Sequence, residues 1–139
     1  MADLDGLAGE QYCYLTTTGR VSGRPHEIEI WFGLSGATLH MLSGGGERSD
    51  WVKNLLHEPG VAIRIASSRM RGAARVVEPA TAEDRKARRL LLRKYQPLYA
   101  GDLADWGRNA LPVAVDLDVG ESPSGSRAAG RRTRGSGAG

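Results

Sequence analysis

The sequence predicts a mainly β protein with a minor α part: a small six-stranded antiparallel barrel carrying one long helix and one or two short ones. Three observations predict it. Six short runs favour strands, several alternating apolar with polar residues; turn signals separate neighbouring runs; and only one long segment keeps helical periodicity. A sheet of that size protects its edges best by closing on itself. With 139 residues, 40% hydrophobic and 25% charged, the chain has the composition of one globular domain.

The elements follow in order. QYCYLTTTG (11–19) is a β-favouring run, and Cys13 within it reads as a buried small hydrophobe, since a lone cysteine forms no internal disulfide. PHEIEIWFGL (25–34) alternates Ile28, Ile30 and Phe32 with Glu27, Glu29 and Trp31, which puts Trp31 on the opposite face from Ile30 and Phe32, and one of those two faces must meet solvent or a partner. A tight hairpin at GLSGA leads into ATLHMLS (37–43), where His40 between Leu39 and Met41 reads as half-buried. DWVKNLLHE reads as a helix with Ser49 as its N-cap, Trp51 with Leu55 and Val52 with Leu56 on adjoining apolar rows, and Pro59 closing it. GVAIRIAS and MRGAARVVE pair through SSR. TAEDRKARRLLLRKYQPLY is the long helix, capped by Thr81, acidic at Glu83 and Asp84, basic toward its end and stopped near Pro97. DLADWGRN suggests a shorter helix before the last strand, LPVAVDLDV (111–119).

Charge divides the chain into two parts. Residues 120–139 hold four of the 19 basic residues and one of the 16 acidic ones, which leaves 15 of each in residues 1–119. We expect a neutral folded domain over 1–119 and a disordered basic Gly/Ser/Arg tail over 120–139, too poor in apolar groups to offset ordering at about 1–2 kcal/mol per residue. Arginines without interleaved aromatics argue against nucleic-acid binding. No run approaches the length of a membrane span, and the first residues lack a secretion signal, so a cytoplasmic protein is expected. His26, His40 and His57 have no ligand-like spacing, so no metal site is expected.

Two glycine-punctuated segments stand out. In SGGGERSDW, Gly44, Gly45 and Gly46 free backbone amides just before a helix start, with Arg48 beside them, which suits an anion. In TTTGRVSGRPH (16–26), Arg20 and Arg24 lie four apart around Ser22 and Gly23, which suits a bidentate grip on phosphate. A plain hairpin-to-helix joint and a solvated basic turn are the alternatives. Neither segment has the Lys-Ser or Lys-Thr pair of a P-loop.

Taken together, YLTTTGRVSGRPHEIEIWF, LSGGGERSDWVKNLLHEPGVAIRI and KYQPLYAGDLADWGRNALPVAVDL resemble the deazaflavin-dependent nitroreductase family of the flavin-binding split β-barrel superfamily, over about residues 11–119. The resemblance implies a split barrel that binds coenzyme F420 and passes hydride to a quinone-like, nitro or other electrophilic small molecule. It places Arg20, Ser22, Gly23 and Arg24 at the cofactor's phosphate end. Ser43, Gly44, Gly45, Gly46 and Arg48 would approach ring and phosphate, with Trp51 and Asn54 on the helix behind. Tyr95 and Tyr99 resemble the tyrosines on the substrate side and are the catalytic candidates, with Trp106 as a stacking surface nearby. Val21 and His26 stand where relatives carry basic residues, which keeps FMN open as the alternative cofactor and a non-catalytic carrier of cofactor, lipid or haem as the alternative function. A homodimer is also implied.

Overall fold

The structure, a computed structural model, describes residues 4–118; the expected tail at 120–139 lies outside the described residues. The chain runs through α1 (Leu4–Leu7), β1 (Cys13–Thr18), β2 (Pro25–Ile30), β3 (Gly33–Ser35), β4 (Thr38–Ser43), α2 (Asp50–His57), β5 (Gly60–Ile65), β6 (Ser68–Val76), α3 (Ala82–Tyr95), α4 (Ala104–Asn109) and β7 (Leu111–Leu117). One curled antiparallel sheet holds the strands in the order β2-β1-β5-β6-β7-β4-β3.

The sheet has seven strands where the sequence predicted six. The predicted second strand breaks at Trp31 and Phe32, so β2 and β3 become the two opposite edges of the curl. At the break the ladder is replaced by one side chain: Tyr95 Oη accepts from the Phe32 amide and donates toward its carbonyl, both at 3.0 Å. Lys94 Nζ donates to the same carbonyl at 3.0 Å. Both backbone groups of Phe32 thus stay satisfied where the strand stops, which makes the break affordable. The short α1 was not predicted from the sequence.

Period-two alternation puts Cys13, Leu15, Val61, Ile63 and Ile65 into the interior, with Val52 and Leu55 of α2 packed among them. Burial pushes the Cys13 thiol up to about 12, so it is an inert core group, as expected. Leu56, predicted to be apolar-facing, is exposed, and Asn54 takes the buried position beside Leu55 instead. The long helix starts as its sequence predicts: Thr81 Oγ1 accepts from the Asp84 amide at 3.1 Å.

A second cluster lies outside the curl, where α3 packs on β3, β4 and β7. It joins Leu42, Leu91, Tyr95, Leu103 and Ala110, with Trp31 and Trp106 at its margin. This layer buries β4 on both faces and corrects the half-buried expectation for His40, which is 2% exposed and meets Glu83 at 2.9 Å through Nε2. Trp31, half-buried at the margin of this layer, stacks on Tyr95 at 4.3 Å and 4°.

Candidate functional site

The β1–β2 turn and the start of α2 meet through one side chain. Asn54 is 4% exposed; its Oδ1 accepts from the Arg20 amide at 3.2 Å and from Arg20 Nη1 at 2.8 Å, while its Nδ2 donates to Thr17 Oγ1 at 3.2 Å. Arg20 Nη2 also reaches Asp50 Oδ1 at 3.1 Å. The turn closes on itself through Gly23 N to Gly19 O at 2.9 Å and Gly19 N to Arg24 O at 2.8 Å, with Gly23 at φ 73°. Ser22 Oγ accepts from the Arg24 amide. Between turn and helix opens a cavity of about 290 Å³ lined by Gly19, Arg20, Val21, Ser22, His26, Asp50 and Asn54.

This geometry separates the two arginines that the sequence suggested as a clamp. Arg20 ties the turn to α2 and has Asp50 as its counterion, so its charge is partly neutralised. Arg24 has no ion-pair partner among the described residues, and neither has Arg48. Of the three arginines, Arg24 and Arg48 are thus the two whose guanidinium groups face no carboxylate among the described residues. Asp50 was missed by sequence reasoning; an acidic residue in a first helical turn reads as ordinary dipole compensation, and nothing in its spacing points to Arg20.

The glycine loop is built differently from its expected cap. Ser49 occupies the N-cap position, but its Oγ meets Ser43 Oγ at 2.9 Å rather than a helix amide, and Ser43 Oγ donates to Gly46 O at 3.0 Å. Two of the three glycines serve the loop itself. Gly46 has φ 63°, and a Cβ on Gly45 would lie 2.5 Å from Ser49 Oγ. Gly44 is required by neither backbone nor packing: a Cβ there would meet only Trp106 Cδ1, at 3.8 Å. The amides of Gly44 and Gly45 donate to no acceptor among the described residues. Gly44 therefore leaves an exposed cradle, with free donors, facing an indole edge. Trp51, on the helix behind, packs partly buried against the inner core.

The aromatic wall beside Gly44 is Trp106, set edge-on to Trp31 at 5.5 Å and 87°, with Tyr99 edge-on to Trp31 at 6.0 Å and 81°. The two candidate tyrosines part here. Tyr95 is fully buried; its hydroxyl bridges Phe32 and the Gln11 carbonyl, the latter at 2.7 Å, and burial raises its pKa to about 12. It is a structural anchor and presents no surface to a substrate. Tyr99 is 49% exposed. Trp31 was also missed, because the alternation of the preceding strand, run through the break, points it outward.

A family model for F420H(2)-dependent quinone reductases matches residues 4–118. The chain belongs to that family. No curated protein matches the sequence. Among solved structures, the F420-H2 dependent reductase FDR-A superposes with a TM-score of 0.62, 18% identity, and coverage of 76% of this chain and 93% of its own. A protein assigned to 5-nitroimidazole antibiotic resistance in Bacteroides thetaiotaomicron gives 0.64 at 19% identity, over 85% and 81%. The heme storage protein HutZ of Vibrio cholerae gives 0.63 at 14%, over 84% and 89%. At such identities these structures share the fold. Family membership makes the chain an F420-dependent oxidoreductase.

The reductase's residues fit such a cofactor. Arg24 and Arg48 offer unpaired guanidinium groups for an anionic tail, and the Gly44 cradle offers backbone donors and open space beside an aromatic wall. Among the described residues there is no cluster able to hold a metal, and no helix is long and apolar enough to cross a membrane.

Proposed function

We propose that the reductase transfers hydride from reduced coenzyme F420 to a quinone-like or nitro-substituted small molecule, with the phosphate end held near Arg24, Ser22 and Arg48. One observation carries the reading: Gly44, whose absent side chain nothing in the protein requires, faces Trp106 in an aromatic wall. When bound, the coenzyme supplies the hydride and its electron pair. The chain's own residues supply position and the environment of the proton. Trp31, Trp106 and Tyr99 give a planar acceptor edges to pack against and exclude water from one side. Tyr99, whose hydroxyl has no partner among the described residues, is the group able to donate to an acceptor oxygen as negative charge develops there. The Arg20–Asn54 tie holds the turn that presents Arg24.

The test is to mix the purified protein with reduced F420 and a soluble quinone or a nitroaromatic, and to follow coenzyme oxidation. Acceptor-dependent oxidation above the rate without protein supports the reading. Coenzyme binding without turnover on either acceptor class would make the protein a carrier, and FMN reduction in place of F420 oxidation would make it a flavin enzyme.

A further inference from the structure

The residue that follows β1 has no side chain, and two polar groups occupy the space one would fill. A Cβ on Gly19 would lie 2.7 Å from His26 Nε2, 2.7 Å from Ser22 Oγ and 2.9 Å from His26 Cδ2. Ring and hydroxyl therefore converge over the Gly19 α-carbon. His26 reaches this point because it pairs with Thr17 of β1, and residues directly opposite in a ladder share a face. Thr17 is buried on that face against Asn54 of α2. The imidazole thus lines the cavity of about 290 Å³ between turn and helix rather than the outside of the sheet.

The other polar groups lining that cavity are already engaged. Arg20 is bound to Asn54 and Asp50, and Asn54 is bound to Arg20 and Thr17. Ser22 Oγ accepts from the Arg24 amide, which leaves its own proton to donate. His26 is exposed and has no ion pair among the described residues. Arg24 and Arg48 do not line the cavity. The charged groups around the ring are Arg20 and, along the turn, Arg24, with Asp50 on α2; β1 opposes it with the neutral Thr17. Arg20 and Asp50 offset each other, so the imidazole decides whether the cavity lining carries net positive charge.

We propose that His26 is a contact for the anionic end of the coenzyme and that its protonation sets how tightly this end is held. The inference rests on the proposed function, whose placement of that end near Ser22 it makes specific. Imidazole is the side chain whose charge ordinarily changes between about pH 5 and 8. Protonated, it offers two N–H donors and a charge beside the Ser22 hydroxyl; neutral, it offers one donor and no charge. The anion accordingly prefers the protonated form, and by reciprocity its binding draws a proton onto the ring. Affinity is highest below the titration of the imidazole and falls as pH rises through it.

Titration of the full chain with F420 at about pH 5.5 and about pH 8.5, followed by tryptophan fluorescence, tests this beside His26→Gln and His26→Arg, each verified as folded by circular dichroism. Wild type should bind about five- to tenfold more tightly at the lower pH, a modest ratio because the ring is exposed. His26→Gln should show the weaker affinity at both pH values, and His26→Arg the tighter one at both. Any ionisation of the coenzyme itself is common to the three proteins and cancels when they are compared. Calorimetry near neutral pH, in two buffers of different ionisation enthalpy, should show proton uptake by wild type and less by either variant, which a purely structural role for the ring would not produce. A deazaflavin cut short before the phosphate should bind wild type and His26→Gln alike. One pH dependence shared by wild type and His26→Gln, or proton uptake unchanged in the variants, would overturn the inference while leaving F420 binding, and so the proposed function, in place. No binding of F420 by wild type at either pH would overturn the proposed function and the inference with it.

Discussion

Asn54→Ala tests how the candidate site is assembled. The side chain is buried, and its amide serves three partners: the Arg20 amide, Arg20 Nη1 and Thr17 Oγ1. Alanine removes all three bonds and fills none of their places. At about 1 kcal/mol for each hydrogen bond, with more where the abandoned group stays dry, the loss is roughly 2–4 kcal/mol. A domain of this size then melts roughly 10 °C or more lower. The exposed half of the same junction provides the comparison. Asp50 is 85% exposed at its side chain, so Asp50→Asn, which weakens only the surface ion pair, should cost under about 1 kcal/mol. Thermal unfolding by circular dichroism measures both, and coenzyme titration of folded Asn54→Ala should show weaker binding because the turn carrying Arg24 loses its tether. An Asn54→Ala protein that melts within about 2 °C of wild type would refute the hub, since a satisfied buried amide cannot be removed at so little cost.

Three further outcomes are expected. Arg75, then His40, hold the Glu83 carboxylate down to about 2 from an ordinary 4.5, so its stabilisation is present above pH 4.5 and is lost as pH falls toward 2. With Glu83 a third exposed, Glu83→Gln should flatten the acid limb of a urea-unfolding pH series by about 1–2 kcal/mol, and an unchanged limb would exclude the network. Burial pulls the Lys94 ammonium down to about 8 from 10.5, so the folded chain sheds this proton before the unfolded chain and stability should rise from pH 8 to 10.5. Lys94→Met removes the titrating group, together with its bond to the Phe32 carbonyl, and should abolish that rise in denaturant titrations whatever it does to overall stability; a rise that persists would assign it to another group. Tyr95→Phe should lower stability by about 2–4 kcal/mol by stranding the Phe32 amide. Tyr99→Phe should leave unfolding within about 0.5 kcal/mol but cut kcat by roughly tenfold or more, and equal turnover would remove Tyr99 from proton transfer.

Local signals carried most of the fold. Alternation located the strands, and Thr81 with its acidic first turn located α3, because both patterns report contacts within a few residues. What stayed hidden depends on distant partners. The break after Ile30 requires Tyr95, 63 residues beyond Phe32, to replace the ladder, and no feature of PHEIEIWFGL announces it. Arg88 is similar: in sequence it is one of several helix arginines, yet it binds Asp84 and the carbonyls of Gly107, Arg108 and Ala110 to hold the end of α4. In the candidate site, glycine and arginine spacing drew attention to two loops but gave no sign of how their residues differ in partners. Arg20 and Arg24 are alike in sequence, and only the position of Asn54 and Asp50 makes one a tether and leaves the other free.

The central claim is that the glycine loop and the β1–β2 turn hold a deazaflavin. It is tested most directly by titrating the protein with coenzyme F420 and, separately, FMN, while following tryptophan fluorescence, since Trp106 borders Gly44 and Trp51 lies on the helix behind. The account predicts saturable quenching by F420 and none by FMN, weakened roughly tenfold in Arg24→Ala through loss of a charge-assisted contact. No response to F420, or equal affinity in wild type and Arg24→Ala, would contradict it.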